Sequence, residues 1–234
     1  RFEKQFSDKF NMVYIFGNRE YDSTFGTDDD FISHPLGDTG SAVGGAGGAN
    51  YLTHEFDSHE VRFNYDVSDN LLLTVGGFMS DQTTTYASRQ DIGYVGLAFY
   101  QDDPVEATSA AIFASAIWNV TDKMTVTAGV RRTNEEKDYT YVRKEWDGVT
   151  PAGFFTLFPA FDDAGNPILM DGLTNHYEGS ETDVRFSVDY QLSDASMVYY
   201  TYSTGFKGGG VSPRPFDTPQ AVNGAFGPES LKSH

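Results

Sequence analysis

Val184-Arg185-Phe186-Ser187-Val188-Asp189-Tyr190 alternates apolar and polar residues, and Ser193-Asp194 then leads into a second alternating run, Ser196-Met197-Val198-Tyr199-Tyr200-Thr201-Tyr202. A period of two gives a strand two unlike faces, and Ser and Asp bond their own backbone in tight turns. The stretch reads as strand, turn, strand. The same device stands at Ser7-Asp8, Ser68-Asp69 and Thr121-Asp122. Successive copies lie 61, 53 and 72 residues apart (68−7, 121−68 and 193−121), more than a pair of ten-residue strands requires. Short turns therefore recur on one side. Long polar connections, over about residues 22–57, 83–105, 138–181 and 207–227, are expected on the other.

Aligned on their turns, the copies separate two faces. Phe10, Met12, Tyr14 and Phe16 fall in register with Leu71, Leu73, Val75 and Gly77, with Met124, Val126, Ala128 and Val130, and with Ser196, Val198, Tyr200 and Tyr202. The opposite register holds Leu72, Thr74, Gly76 and Phe78, then Thr125, Thr127, Gly129 and Arg131. Incoming strands divide the same way: Val61, Phe63 and Tyr65 against Glu60, Arg62, Asn64 and Asp66. Tyr65, Trp118 and Tyr190 each stand three residues before the hydroxyl partner of a turn aspartate. One level of aromatics fits a membrane-interface girdle, and it also fits the core of a soluble sandwich. Glu106–Trp118 is alanine-rich and has helix propensity. It occupies the strand position before its turn, so a strand is expected.

The composition narrows the class. The 234 residues include 24 Gly, 19 Phe and 14 Tyr, a mixture suited to strands and turns. The net charge of −18, with only 16 Lys and Arg, excludes nucleic acid as a partner, since phosphate binding needs clustered cations. The absence of cysteine excludes disulfide scaffolds, thiol catalysis and Cys-based zinc sites. No apolar run reaches the ~18 residues of a membrane helix, but a barrel strand crosses with about ten alternating residues. Arg1-Phe2-Glu3-Lys4 shows no signal peptide, and Leu231-Lys232-Ser233-His234 closes with no cap or turn. A piece of a longer chain is expected.

Catalytic constellations are not found. His54 and His59 are five apart, one too many for a zincin pair on a helical face. Asp28-Asp29-Asp30 lacks the spacing and closing Glu of a calcium loop, and with Asp102-Asp103 and Asp162-Asp163 reads as solvated loop. The tract Gly44-Gly45-Ala46-Gly47-Gly48 also falls in a connection. Lys207-Gly208-Gly209-Gly210 has the wrong order for a phosphate loop, and Glu135-Glu136 point to opposite faces of a strand. The expectation is a protein that is not an enzyme, with no cofactor and no catalytic or metal residue.

Tyr200-Thr201-Tyr202-Ser203-Thr204-Gly205-Phe206-Lys207-Gly208-Gly209-Gly210, with Phe226-Gly227-Pro228-Glu229-Ser230-Leu231-Lys232-Ser233, resembles the barrel of a TonB-dependent outer-membrane receptor. The family motif is carried by Ser203, Gly205, Phe206, Lys207, Gly208 and Gly209, followed by Pro228 and Glu229. Ala128-Gly129-Val130-Arg131-Arg132-Thr133 with Glu135-Glu136-Lys137 resembles a second family strand, except that Arg132 replaces the usual Tyr. The likeness covers nearly the whole chain. It implies that residues 1–234 are part of an all-β, antiparallel transmembrane barrel of roughly 22 strands with a plugged lumen. Seven strands and the start of an eighth fall within it, with short periplasmic turns and long extracellular loops. The plug and the C-terminal strands lie outside it.

The resemblance further implies uptake of a scarce small molecule, such as a ferric siderophore, powered by the TonB system through the plug. The apolar register would face outer-membrane lipid and Arg62, Arg131 and Arg185 the lumen. Those arginines are candidates for plug or anionic-ligand contacts, against the plainer reading of pairing with Asp183 or Glu60. Two rivals stand: a small outer-membrane barrel with a structural or adhesive role, and a soluble β-sandwich that binds glycans.

Overall fold

The structure, a computed structural model, describes residues 1–28, 46–92 and 97–234. Its main sheet is an antiparallel meander in chain order. The strands are β1 (Phe2–Ser7), β2 (Phe10–Asp28), β3 (Ala46–Ser68), β4 (Leu71–Ile92), β5 (Leu97–Thr121) and β6 (Met124–Thr140), with β7 (Arg143–Lys144) added beside β5. A connection carries the short hairpin β8 (Ala160–Phe161) and β9 (Pro167–Ile168), and the sheet continues with β10 (Thr174–Ser193) and β11 (Ser196–Lys207). A second connection holds β12 (Gly210–Val211), helix α1 (Thr218–Val222) and β13 (Ala225–Phe226) before β14 (Glu229–Ser233) pairs with β11. The Ala-rich segment is strand, inside β5. The other sheets among the described residues, β8–β9 and β12–β13, are two-stranded and too small to form the second layer of a sandwich.

All four Ser/Thr-Asp pairs are tight turns, with a register irregularity beside each, at Gln5/Ser7, Asp66/Ser68, Asn119/Thr121 and Gln191/Ser193. The hydroxyl organises the turn more than the aspartate. Ser7 Oγ accepts from the Lys9 amide at 3.3 Å, Thr121 Oγ1 from Lys123 at 3.2 Å, and Ser193 Oγ from Ala195 at 3.4 Å. Such bulges sharpen local twist and close the hairpin.

Two of the sequence expectations need correction. The main sheet runs through nine strands in order, not seven with an eighth begun, because Phe2–Ser7 pairs with Phe10–Tyr14 ahead of the first counted strand. The connections are also shorter. Strands extend through 22–28, 46–57, 83–92, 97–105, 138–140 and 174–181, all placed above in connections. There apolar and polar residues no longer take turns in one register, and the otherwise polar face carries Leu97, Phe99 and Val105 in β5, so the alternation is lost while the backbone ladder continues. Asp102 and Asp103 are therefore strand residues. Asp29, Asp30, Gly44 and Gly45 lie outside the described residues.

Because opposed residues in a ladder share a face, the register tests the two-face reading directly. Tyr65, Leu73, Ala116, Ala128, Phe186 and Tyr202 form one cross-strand row. Asn64, Thr74, Ser115, Gly129, Arg185 and Ser203 form a row on the other face. The apolar face is not covered: Ile112 is 70% exposed and Tyr200 52%. The packed core lies instead at the end of the sheet away from the turns, around Phe99, Tyr139, Tyr141, Phe155 and Met170.

Candidate functional site

Alternation along β6 puts Arg131, Thr133, Glu135, Lys137 and Tyr139 on the polar face. Arg62 and Arg131 share a row there, joined through Gly76 and Phe113, and Arg185 lies one row nearer the turns. Each has a different environment. Arg62 pairs with Glu60 two residues away along its strand. Arg131 lies over the rings of Phe78 (5.3 Å) and Phe113 (5.8 Å) and donates from Nε to Thr133 Oγ1 at 3.1 Å. A Cβ on Gly76 would overlap the Phe113 ring, so that glycine lets the ring lie across β4. Arg131 opposes Asp183 in the ladder, but no ion pair forms between them. Phe78, Gln82, Arg131, Glu135, Lys137 and Phe206 surround an open cavity of about 450 Å³ on this face.

Phe206 reaches that cavity from the family motif, and the glycines after it explain the motif's shape. Lys137 Nζ donates to the Gly209 carbonyl at 2.9 Å, so the chain leaving β11 crosses close over the polar wall. A Cβ on Gly208 would collide with the Glu135 carboxylate, and one on Gly209 with the Tyr177 ring and the Phe226 carbonyl. At Gly209, against backbone and ring, only hydrogen fits in place of a side chain, whereas the Glu135 carboxylate beside Gly208 is a flexible side-chain end. Gly205 differs, since a Cβ there would meet nothing within 4 Å. Ser203 opposes Arg185 and Ser233, while Lys207 and Glu229 oppose each other at an exposed 4.0 Å. Pro228 precedes β14.

Beyond the crossing, two connections form one packed body. Its centre is Arg143, 3% exposed, paired at 2.5 Å with Asp103, which is 0% exposed. Asp103 also accepts from Tyr139 Oη at 2.6 Å and from the Val142 amide at 2.8 Å. Three donors and no acceptor surround the carboxyl. Burial pushes its pKa up, opposed by Arg143 and these hydrogen bonds. Burial, reinforced by Asp103, likewise raises the Tyr139 phenol. The guanidinium also lies among the rings of Tyr141, Phe155 and Phe99 at 5.5, 5.9 and 6.0 Å. It ties the two connections together, with Nη2 donating to the Pro213 carbonyl at 3.2 Å. Tyr141 Oη does the same to Ser212 O at 2.6 Å, and Thr218 Oγ1 to Phe155 O at 3.1 Å.

Sequence reasoning placed Asp103 in a solvated loop and gave Arg143 no role. No period or motif marks either, because both acquire their environment from residues distant in sequence. Lys137 and Glu135 were within reach, being the continuation of the Arg131 register. His54 and His59 stand on opposite faces of β3, and no metal-binding cluster occurs among the described residues.

The family model described as TonB dependent receptor-like, beta-barrel matches residues 1–234. The chain belongs to the TonB-dependent receptor β-barrel family. Solved structures agree on the fold. The ferric yersiniabactin uptake receptor FyuA from Yersinia pestis has a TM-score of 0.64 at 17% identity, over 96% of this chain and 30% of that one. The ferric-catecholate import receptor Fiu from E. coli K12 has a TM-score of 0.59 at 13% identity in its closed form, over 88% of this chain and 32% of that one. Its open form has 0.56 at 12%, over 87% and 34%. The chain thus spans about a third of the receptor structures it matches. No curated protein matches it. For a TonB-dependent receptor barrel, an apolar face without a covering layer and a polar face carrying charged side chains are the expected wall.

Proposed function

We propose that the chain forms wall and extracellular loops of an outer-membrane receptor that takes up a scarce small molecule, a ferric siderophore or a ligand of similar kind, with TonB acting through a plug. The observation that carries this reading is the two-faced register of the family barrel: rows of exposed apolar residues on one face and Arg62, Arg131 and Arg185 on the other. The apolar face fits lipid. The polar cavity and the loop body held by Arg143 fit ligand capture before transport, and the arginines suit plug or anionic-ligand contacts.

Deleting the intact gene should abolish energy-dependent uptake of at least one radiolabelled ferric siderophore, and iron starvation should induce it. Induction by a sugar or by cobalamin depletion, with iron uptake unchanged, would overturn the siderophore assignment. Recovery of the receptor in a soluble fraction would overturn the membrane reading itself.

The face assignment has its own test. Ala128→Arg puts a guanidinium on the apolar face, midway between the aromatic level of Trp118 and the edge at Arg132, and should destabilise the folded barrel by ~2–4 kcal/mol, the penalty for Arg deep in a bilayer. Thr127→Arg, one residue along on the polar face, should remain within ~1 kcal/mol of the parent, as a lumen substitution does. Urea unfolding of the full receptor in vesicles reads both. Equal losses would contradict the assignment of faces.

A further inference from the structure

Arg132, which stands where the family resemblance leads one to expect Tyr, lies on the apolar face and not with the other wall arginines. The outward positions of β6 are Met124, Val126, Ala128 and Val130, then Arg132, Asn134 and Glu136. On β10 the apolar run Tyr190, Val188, Phe186 and Val184 gives way at the same height to Thr182 and Ser180. Arg132 is therefore the first residue beyond the apolar band.

Its surroundings leave its charge uncompensated. Directly opposite stand Ile112 and Thr182, and Thr182 Oγ1 accepts from Nη1 at 3.0 Å. The rows above and below offer Ala110, Asn134 and Ser180, then Ala114, Val130 and Val184, none of them charged. No ion pair among the described residues involves Arg132. The nearest outward carboxylate along the strand is Glu136, about 14 Å away at ~3.4 Å per residue. That exceeds the ~8 Å screening length at physiological salt. Asn134 uses its oxygen to accept from Ser180 Oγ at 2.5 Å, so that bond does not engage its amide donors. A guanidinium bonded to a hydroxyl, with an amide in the next row of the same face, thus stands at the edge of an apolar wall, a donor set suited to phosphate oxygens.

We infer that Arg132, with Asn134 and Thr182, docks the phosphate of a membrane-lipid headgroup at the level where the apolar wall ends. The inference rests on the outer-membrane reading, since only lipid lies against this face. It accounts for the replacement of an interfacial Tyr by Arg: both anchor at a membrane interface, Tyr by its amphipathic ring and Arg by holding a phosphate.

The test uses the full receptor in phosphatidylcholine nanodiscs with and without a minor fraction of phosphatidic acid, counting retained phosphatidic acid by native mass spectrometry. Arg132→Gln should lower its apparent affinity about fivefold, the equivalent of ~1 kcal/mol per basic residue at a membrane surface. Arg132→Lys should recover much of the loss, Thr182→Val should give a smaller one, and inorganic phosphate should not compete. Retention unchanged in Arg132→Gln overturns the inference while leaving the receptor reading intact. Competition by inorganic phosphate overturns it in favour of a soluble-anion site. A receptor that does not enter nanodiscs fails earlier, and the membrane reading falls with it.

Discussion

Asp103→Ala is expected to release the loop body of the receptor. It leaves Arg143 buried without its counter-charge, and removing one partner of a buried pair costs ~3–5 kcal/mol. The Tyr139 phenol and the Val142 amide lose their acceptor in the same step. The damage should stay local, because the long strands are held by their own ladders and by the faces described above. Limited proteolysis of the full receptor in detergent is the measurement. Cleavage within 145–170 and 212–224 should rise by two orders of magnitude or more, by ~1.4 kcal/mol per decade, while the strands stay protected. Asp103→Leu combined with Arg143→Met should restore much of the protection, since an apolar pair of similar volume often replaces a buried ion pair without loss. Parent-like cleavage in Asp103→Ala would show that the pair does not hold the loops.

Gly209→Val should have the second largest effect. The added side chain meets the Phe226 carbonyl and the Tyr177 ring, and backbone cannot move aside as a flexible side-chain end can. Overpacking of this kind costs ~1–3 kcal/mol. It should separate β12 from β13 and lift the crossing off Lys137, weakening ligand capture with the barrel still assembled. Gly205→Ala is the internal comparison: it changes the same motif but fills open space, so the loops should keep parent-like protease resistance. If Gly205→Ala loosened the loops as much as Gly209→Val, the close-approach account of the motif would be wrong. Hydrogen exchange at the Gly210 and Phe226 amides gives an independent reading.

The glycines show what a motif conveys by itself. Resemblance marked Gly208 and Gly209, yet the reason for glycine lies in Glu135 and Tyr177, which are 73 and 32 residues earlier in the chain (208−135 and 209−177). The same holds for the loops. Asp147 and Asp162 each cap a local turn, through Thr150 and Asn166, and their carboxyls are held below the ordinary range by those bonds. Such i-to-i+3 or i+4 bonds are recognisable locally. The contacts that join one connection to the other are not.

Local chemistry was sufficient for the repeating unit of this protein. Hydroxyl-bearing turns and a period of two determined the hairpins, and both depend only on residues near one another in the chain. The same alternation separated the apolar face from the face of Arg62, Arg131 and Arg185, because the side-chain period of a strand is independent of its partners. Tertiary structure decided the rest: how far the strands run once the regular alternation is lost, where Arg143 finds Asp103, and why position 209 must be glycine. Those depend on which distant segments meet, and a pattern of period two carries no record of that.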